Sequence, residues 1–444
     1  MRRALILLLL LVGMRLILPL GRDVPSSGAL LTLGFLILAA YTVGEIMSNW
    51  GLPKLLGYLI AGILFGPSSI DAVSSGAILR LQPVNQLAVA LIAFVAGAEL
   101  RWQEVKRRGP AYLRILGGEM PLNFLLIAVA VYFLYPYIPG DQEQTRLHAI
   151  VFALLFASIA IAHSPAVTLG ILTETRARGR VARTSLGVVL VSDVFLVIVF
   201  SLMATLARVL LPPAGAAEIT SLPLVVWEIA GALVVGSLIG GGVALYLRFI
   251  HKELLLFGII VAMLGTEIAR LAHVELLLTL LTAGFVTENF APGNSGEAMR
   301  DAVERAAAPV FVVFFALSGA SIHLDQLAAL FAVAAPIALV RGLGIFAGTR
   351  MGARWAKVSE VERRYVWMSL ISQAGVAIGL ATAVASVYPV LGTTVQALAL
   401  ALIPINELVG PVFFKRALSL SGELPPSSLR AHATPRDLPE TASR

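Results

Sequence analysis

A single aspartate, Asp193, stands in the middle of the apolar stretch LGVVLVSDVFLVIVFSLMA (Leu186–Ala204). A carboxylate at bilayer depth disfavours insertion by about 3 kcal/mol, so one is retained where it faces a polar cavity, an ion or a partner charge. The chemistry it offers is exchange, because a proton and a hard monovalent cation compete for the same two oxygens. Hard cations take oxygen ligands, and the ones within reach by sequence are the hydroxyls of Ser164 and Ser192, backbone carbonyls and water. Asp193, Ser192 and Ser164 are therefore the expected ion-binding residues. Catalysis of a covalent reaction is not expected. The chain has no cysteine, which excludes thiol redox chemistry and thiolate metal sites, and its six histidines are scattered without an HExxH pair.

Two other apolar segments are interrupted near their centres. One reads ALLFASIAIAHSPAVTLGILTE, with His163, Ser164 and Pro165, and the other YVWMSLISQAGVAIGLATAVAS, with Ser372, Gln373 and Gly375. Proline removes a backbone donor and glycine permits unusual dihedrals, so each interruption frees main-chain groups at mid-membrane. Such groups are tolerated only inside protein or beside water, and transporters place broken helices at matching positions of two inverted repeats. Each break falls in the fourth helix of a five-helix block, roughly Leu52 to Leu211 and Glu275 to Leu418. Taken singly, a proline kink in an ordinary bundle helix explains either one; the pairing favours a crossing of broken helices. His163 is either a spacer filling the first break or a group that senses pH near its reference pKa of about 6.5.

The scaffold that must hold these residues is membrane-embedded along nearly its whole length. Of 444 residues 58% are hydrophobic and 13% charged, with a mean hydropathy of +0.89, against about 25% charged in a soluble domain. Apolar runs recur about fourteen times, each near the length of about 20 residues that spans hydrocarbon. The net charge of +7 does not read as nucleic-acid binding, because the basic residues sit in short loops: RWQEVKRRG from Arg101, ETRARGRVAR from Glu174, RFIHKE from Arg248 and RMGARWAKVSEVERR from Arg350. The positive-inside rule makes these loops and the C-terminus cytoplasmic. The expected fold is an all-α polytopic membrane protein of about thirteen core helices. Residues 1–28 are a signal peptide or an extra helix, 29–420 the transmembrane domain, and 421–444 a disordered cytoplasmic tail. GILFG (Gly62–Gly66) and the pair Gly236 and Gly240 fit small-xxx-small helix packing. No phosphate-binding loop or cofactor motif is present, which leaves an ion gradient as energy source.

LLGYLIAGILFGP (from Leu55), LIAFVAGAEL (from Leu91), SPAVTLGILTETRARG (from Ser164), VLVSDVFLVIVF (from Val189), VFFALSGASIHLDQL (from Val313) and GPVFFKRAL (from Gly410), in this order, resemble the monovalent cation:proton antiporter superfamily, in the branch of bacterial sodium/proton exchangers and potassium-efflux antiporters. The resemblance implies a dimerisation domain and a mobile core, two broken helices crossing at the ion site, a homodimer, and residence in the bacterial inner membrane. The family's ion-binding aspartate falls on Asp193, and its neighbour, usually Asp, Asn or Gln, is here Ser192. The family's basic residue on the helix before the second break falls on Arg341, as a charge-compensating group.

The partners implied are sodium or potassium, protons and lipid. One carboxylate carries the same net charge whether it holds one proton or one monovalent cation, and Ser192 does not ionise, so one-for-one electroneutral exchange is expected. Arg341 either forms a forked pair with a carboxylate, in the bland case a permanent bridge to Asp193, or holds helix-end carbonyls. Glu99, Glu119, Glu228, Glu267, Glu288 and Glu407 are secondary candidates at segment edges. The alternatives are an organic-anion symporter of related fold, with Arg341 as anion site, and a cation channel or pH sensor without exchange.

Overall fold

The computed structural model describes residue 12 and residues 27–139, 145–212, 222–250, 252–305, 307–373, 376–388 and 390–425. The first hydrophobic segment, Gly375 and most of the tail lie outside the described residues. In chain order the helices are α1 (Ser27–Asn49), α2 (Lys54–Phe65), α3 (Ser75–Arg80), α4 (Gln82–Ala98), α5 (Trp102–Leu134), α6 (Arg146–Ala160), α7 (Pro165–Thr175), α8 (Arg180–Leu210), α9 (Leu222–Phe249), α10 (Leu254–Leu271), α11 (Leu276–Phe290), α12 (Ser295–Arg305), α13 (Ala307–Ala320), α14 (Leu324–Trp355), α15 (Glu360–Tyr365), α16 (Val376–Val387) and α17 (Leu391–Leu420). Among the described residues 8 helical spans are long and apolar enough to cross a membrane, or 9 when the pair α12 and α13, bent by 53°, counts as one. This is fewer than the thirteen that the apolar runs suggest. The difference lies in α2, α4, α11 and α16, whose apolar helical lengths are only 10–17 residues.

The close contacts between helices repeat with a reciprocal pattern. Gly62 of α2 lies on the backbone of Ala316 and Ala320 in α13, and Gly319 of α13 on that of Leu59. Gly97 of α4 meets Leu281 of α11, and Gly284 of α11 meets Phe94. In each case even one methyl group on the glycine would collide with main chain, so helix axes approach as only small residues permit. The long α5 and α14 pack through Gly118 against Gly352, Gly348 against Glu119 and Gly344 against Asn123. The first helix of one block thus pairs with the second of the other, and third pairs with third, which is the pattern an internal two-fold axis generates. Gly236 and Gly240 of α9 fit against Thr279 and Ala283 of α11, as their spacing predicts.

Most buried apolar side chains fall into two large clusters, beside a small third of Ala232, Ala269 and Val274. One joins α1, α2, α4, α7, α11 and α13 with the first half of α8 and the end of α17. The other joins α5, α6, α14 and α16 with the later half of α8 and the beginning of α17. The first broken helix changes cluster at its break, since α6 belongs to one and α7 to the other. Along α8 the two clusters interleave, with Leu186 and Leu190 in the first and Val188, Val189 and Leu196 in the second, and Asp193 lies in this stretch.

At the basic-loop side, Glu362 ties three elements together. Its carboxylate accepts the hydroxyls of Ser359 and Thr184, each at 2.6 Å, and Arg108 Nη1 at 3.1 Å, and it completes a capping box at the start of α15. Burial opposes its charge, but the Ser359 and Thr184 bonds and the Arg108 charge prevail and hold it below the usual carboxylate range. A carboxylate so lowered stabilises the fold above its unfolded pKa of about 4.3, and that contribution fades as pH falls through the folded value. Glu362→Gln is expected to lower the melting temperature in detergent at pH 7, with the deficit shrinking as the pH is brought below about 4. Gly284→Leu and Gly97→Leu should prevent a monodisperse fold on size-exclusion chromatography, whereas Gly34→Ala, with no neighbour within 4 Å, should leave it unchanged.

Candidate functional site

Ser164 has extended dihedrals (φ −107°, ψ 105°), and its hydroxyl accepts the Val167 amide at 3.2 Å, so it is the N-cap of α7. Pro165 occupies the first turn, where its missing N–H is no loss. It begins a new helix rather than kinking an old one. The second break follows a 3-10 turn over Val366–Ser369 and includes Ser372 and Gln373. The two breaks are bonded directly, main chain to main chain: the Ser164 amide donates to the Ser372 carbonyl at 3.1 Å.

Arg341, fully buried on α14, binds this crossing from the side. Its Nε donates to the Ala160 carbonyl at 2.7 Å, Nη2 to Ala162 at 2.7 Å and Nη1 to Ile371 at 2.5 Å. The acceptors are carbonyls released where α6 ends and where the second helix is interrupted, which carry the partial negative charge of helix C-termini. Of the two roles expected for Arg341, it takes the one at helix-end carbonyls, and no bridge to Asp193 forms. His163 is more than a spacer. One ring nitrogen lies 2.7 Å from the Leu370 carbonyl and the other 3.2 Å from Glu119 Oε2, while Glu119 Oε1 accepts Asn123 at 2.9 Å. His163 thereby links α5 to both breaks.

Asp193 is half-buried, and its two carboxylate oxygens are shielded from solvent with no hydrogen-bond donor. The charge that bears on it is another carboxylate, Glu275, which caps α11 through the amides of Leu277 and Leu278. Ser192 is buried and donates to the Val189 carbonyl of its own helix at 2.6 Å. Gln373 accepts from Asn406 of α17 at 3.0 Å and leaves its Nε2 without an acceptor; the Ser372 hydroxyl is likewise unpaired and lies against Gly410 of α17. His163, Ser164, Ser372 and Arg341 thus form one bonded assembly, while no hydrogen bond joins Asp193 or Ser192 to it among the described residues. Sequence reasoning gave Glu119 little weight and did not single out Asn123 or Asn406. The spacing of Glu119 and Asn123, one helical turn apart in an apolar run, was the available signal.

A buried charged residue with three carbonyl partners has no substitute of equal reach. Arg341→Gln is expected to strip donors from the Ala160, Ala162 and Ile371 carbonyls and destabilise the protein by about 2 kcal/mol or more, read as a lower melting temperature in detergent. Arg341→Lys, with a single point of donation, should fall between.

Known proteins were compared with the chain. The profile of the family described as "Sodium/hydrogen exchanger, transmembrane" matches residues 33–419. The high-affinity Na(+)/H(+) antiporter NhaS3 of Synechocystis sp. is 23% identical over 303 residues, which are 59% of this chain and 61% of that protein. The K(+) efflux antiporter 5 of Arabidopsis thaliana is 26% identical over 172 residues, 38% of this chain and 28% of that one. The chain therefore spans under two thirds of these relatives' lengths. The structure of the sodium proton antiporter MjNhaP1 from Methanocaldococcus jannaschii at pH 8 superposes with a TM-score of 0.62, covering 91% of this chain and 97% of that one at 16% identity, so the fold is shared. With a family profile running through α1 to α17 and a fold in common with a solved antiporter, the chain belongs to the transmembrane sodium/hydrogen exchanger family.

Proposed function

We propose that the protein is a secondary antiporter that exchanges a monovalent cation, sodium or potassium, for a proton at Asp193. The observation that carries this reading is the pair of shielded, donorless carboxylate oxygens. A buried carboxylate without partners is costly, and either a proton or a cation relieves it. Only one of them fits at a time, and that competition is the coupling. Arg341 is committed to carbonyls, which argues against its serving as the site of an organic anion. Ser192 and Ser164 keep a lone pair each beyond the bonds they already make and complete an oxygen shell with water. Alternating access, in which the unit carrying the crossing moves against the helices around α2 and α13, exposes Asp193 to each side in turn. The working form is a homodimer in the bacterial inner membrane with its C-terminus in the cytoplasm, serving pH homeostasis.

In proteoliposomes with the potential clamped, addition of sodium, potassium or lithium should dissipate an imposed pH gradient, and Asp193→Asn should abolish the response. Competition for one carboxylate predicts that the half-saturating cation concentration rises about tenfold per unit of acidification below the carboxyl's pKa. Exchange of one charge for one charge predicts no current under saturating cation; a sustained current would refute the stoichiometry.

A further inference from the structure

On the side of the basic loops, the end of the first broken helix grips the start of α2. Glu174, in the last turn of α7, accepts the Lys54 amide at 2.9 Å and the Leu55 amide at 3.4 Å through Oε2. These are the first amides of α2, whose own N-cap, Pro53, has no side chain to offer them. The other oxygen, Oε1, lies 3.6 Å from Lys415 Nζ of α17, and Lys415 donates in turn to the Leu52 carbonyl at 3.0 Å. Both side chains are mostly shielded, at 14% and 16% exposure. One turn earlier, Gly170 packs against the side chains of Leu55 of α2 and Phe311 of α13, which would have to shift to admit a methyl group. Two helices that meet at the crossing, α7 and α17, therefore hold one helix end of the α2–α13 pair by a carboxylate cap, an ammonium and a flush apolar contact.

We infer that Glu174 and Lys415 are a latch that closes the basic-loop side of the exchanger, and that opening on this side requires the carboxylate to leave the α2 amides. Glu174 is a positioning residue. It touches neither cation nor Asp193 and acts by setting how often α7 separates from α2. The inference rests on the alternating-access reading of exchange. A carboxylate on backbone amides is a charge-assisted contact, stronger than a neutral one, and the paired Lys415 keeps it in register. A single point of release suits a gate better than a diffuse apolar seam, because one bond can break without exposing a core.

The test uses the absence of cysteine from the chain. Thr168→Cys places one thiol on α7 at a fully buried position between Ser164 and Glu174, and its reaction with a membrane-impermeant maleimide is followed in inverted vesicles, where the basic-loop side faces the reagent. Adding Glu174→Gln is expected to speed labelling about tenfold, the scale of a lost charged hydrogen bond, and Lys415→Met to act in the same direction. Unchanged labelling in both variants would overturn the latch, and if Glu174→Gln does not fold, Lys415→Met alone decides. Saturating sodium and acid pH are applied to the chain with Glu174 intact, with Asp193→Asn as control. If sodium and protons change labelling through Asp193 while the latch variants do not, the latch fails and exchange stands; if the variants open the site while sodium and protons have no effect, the converse holds.

Discussion

The structure depends on a guanidinium placed among carbonyls. Interrupting two helices in mid-membrane leaves main-chain acceptors that lipid cannot satisfy, and Arg341 meets three of them with three nitrogens. The match is reciprocal. A fully desolvated cation needs compensating dipoles as much as the carbonyls need donors, and helix C-termini supply them without a carboxylate. Because Arg341 is spent in this way, it gives no charge partner to Asp193, whose carboxylate oxygens have no hydrogen-bond donor.

The breaks fall on the seam between the two apolar clusters. Residues on either side of His163 and Ser164 pack into different cores, so the break lies where this part of the chain passes from one core to the other, while α8 and α17 run unbroken through both. Polar groups collect at the breaks because the main-chain groups freed there need partners that apolar side chains cannot give. Glu362, with Arg108 and Thr184, ties α5 of the second cluster to the start of α8, which packs in the first, and to α15.

Much of this was legible in the residues. HSP announced a break because proline cannot continue a helix hydrogen-bond ladder, Asp193 stood out because hydrocarbon is hostile to charge, and the spacing of Gly62 with Gly66 and of Gly236 with Gly240 announced close helix contacts. What stayed hidden had no side-chain signature. Carbonyls are present at every position, so nothing in the sequence distinguished an Arg341 bound to three of them from one paired with an acid. The partners of the packing glycines lie far along the chain, as with Gly97 and Leu281, and no local pattern encodes them. The count of thirteen is not confirmed by length alone, because hydropathy measures apolar runs and α2, α4, α11 and α16 are apolar helices of only 10–17 residues. Glu119 and Asn123 were visible only as polar residues in an apolar run, and their meaning depended on His163 reaching them from another helix.

The bond between Ser164 and Ser372 has an evolutionary side. It is made by main-chain atoms alone, so a substitution at either position leaves its atoms in place, except proline at 164, which would remove the donor. The contact at the centre of the crossing therefore depends on the path of the backbone and hardly on residue identity. Side chains around the breaks can change while the junction between the two interrupted helices stays as it is.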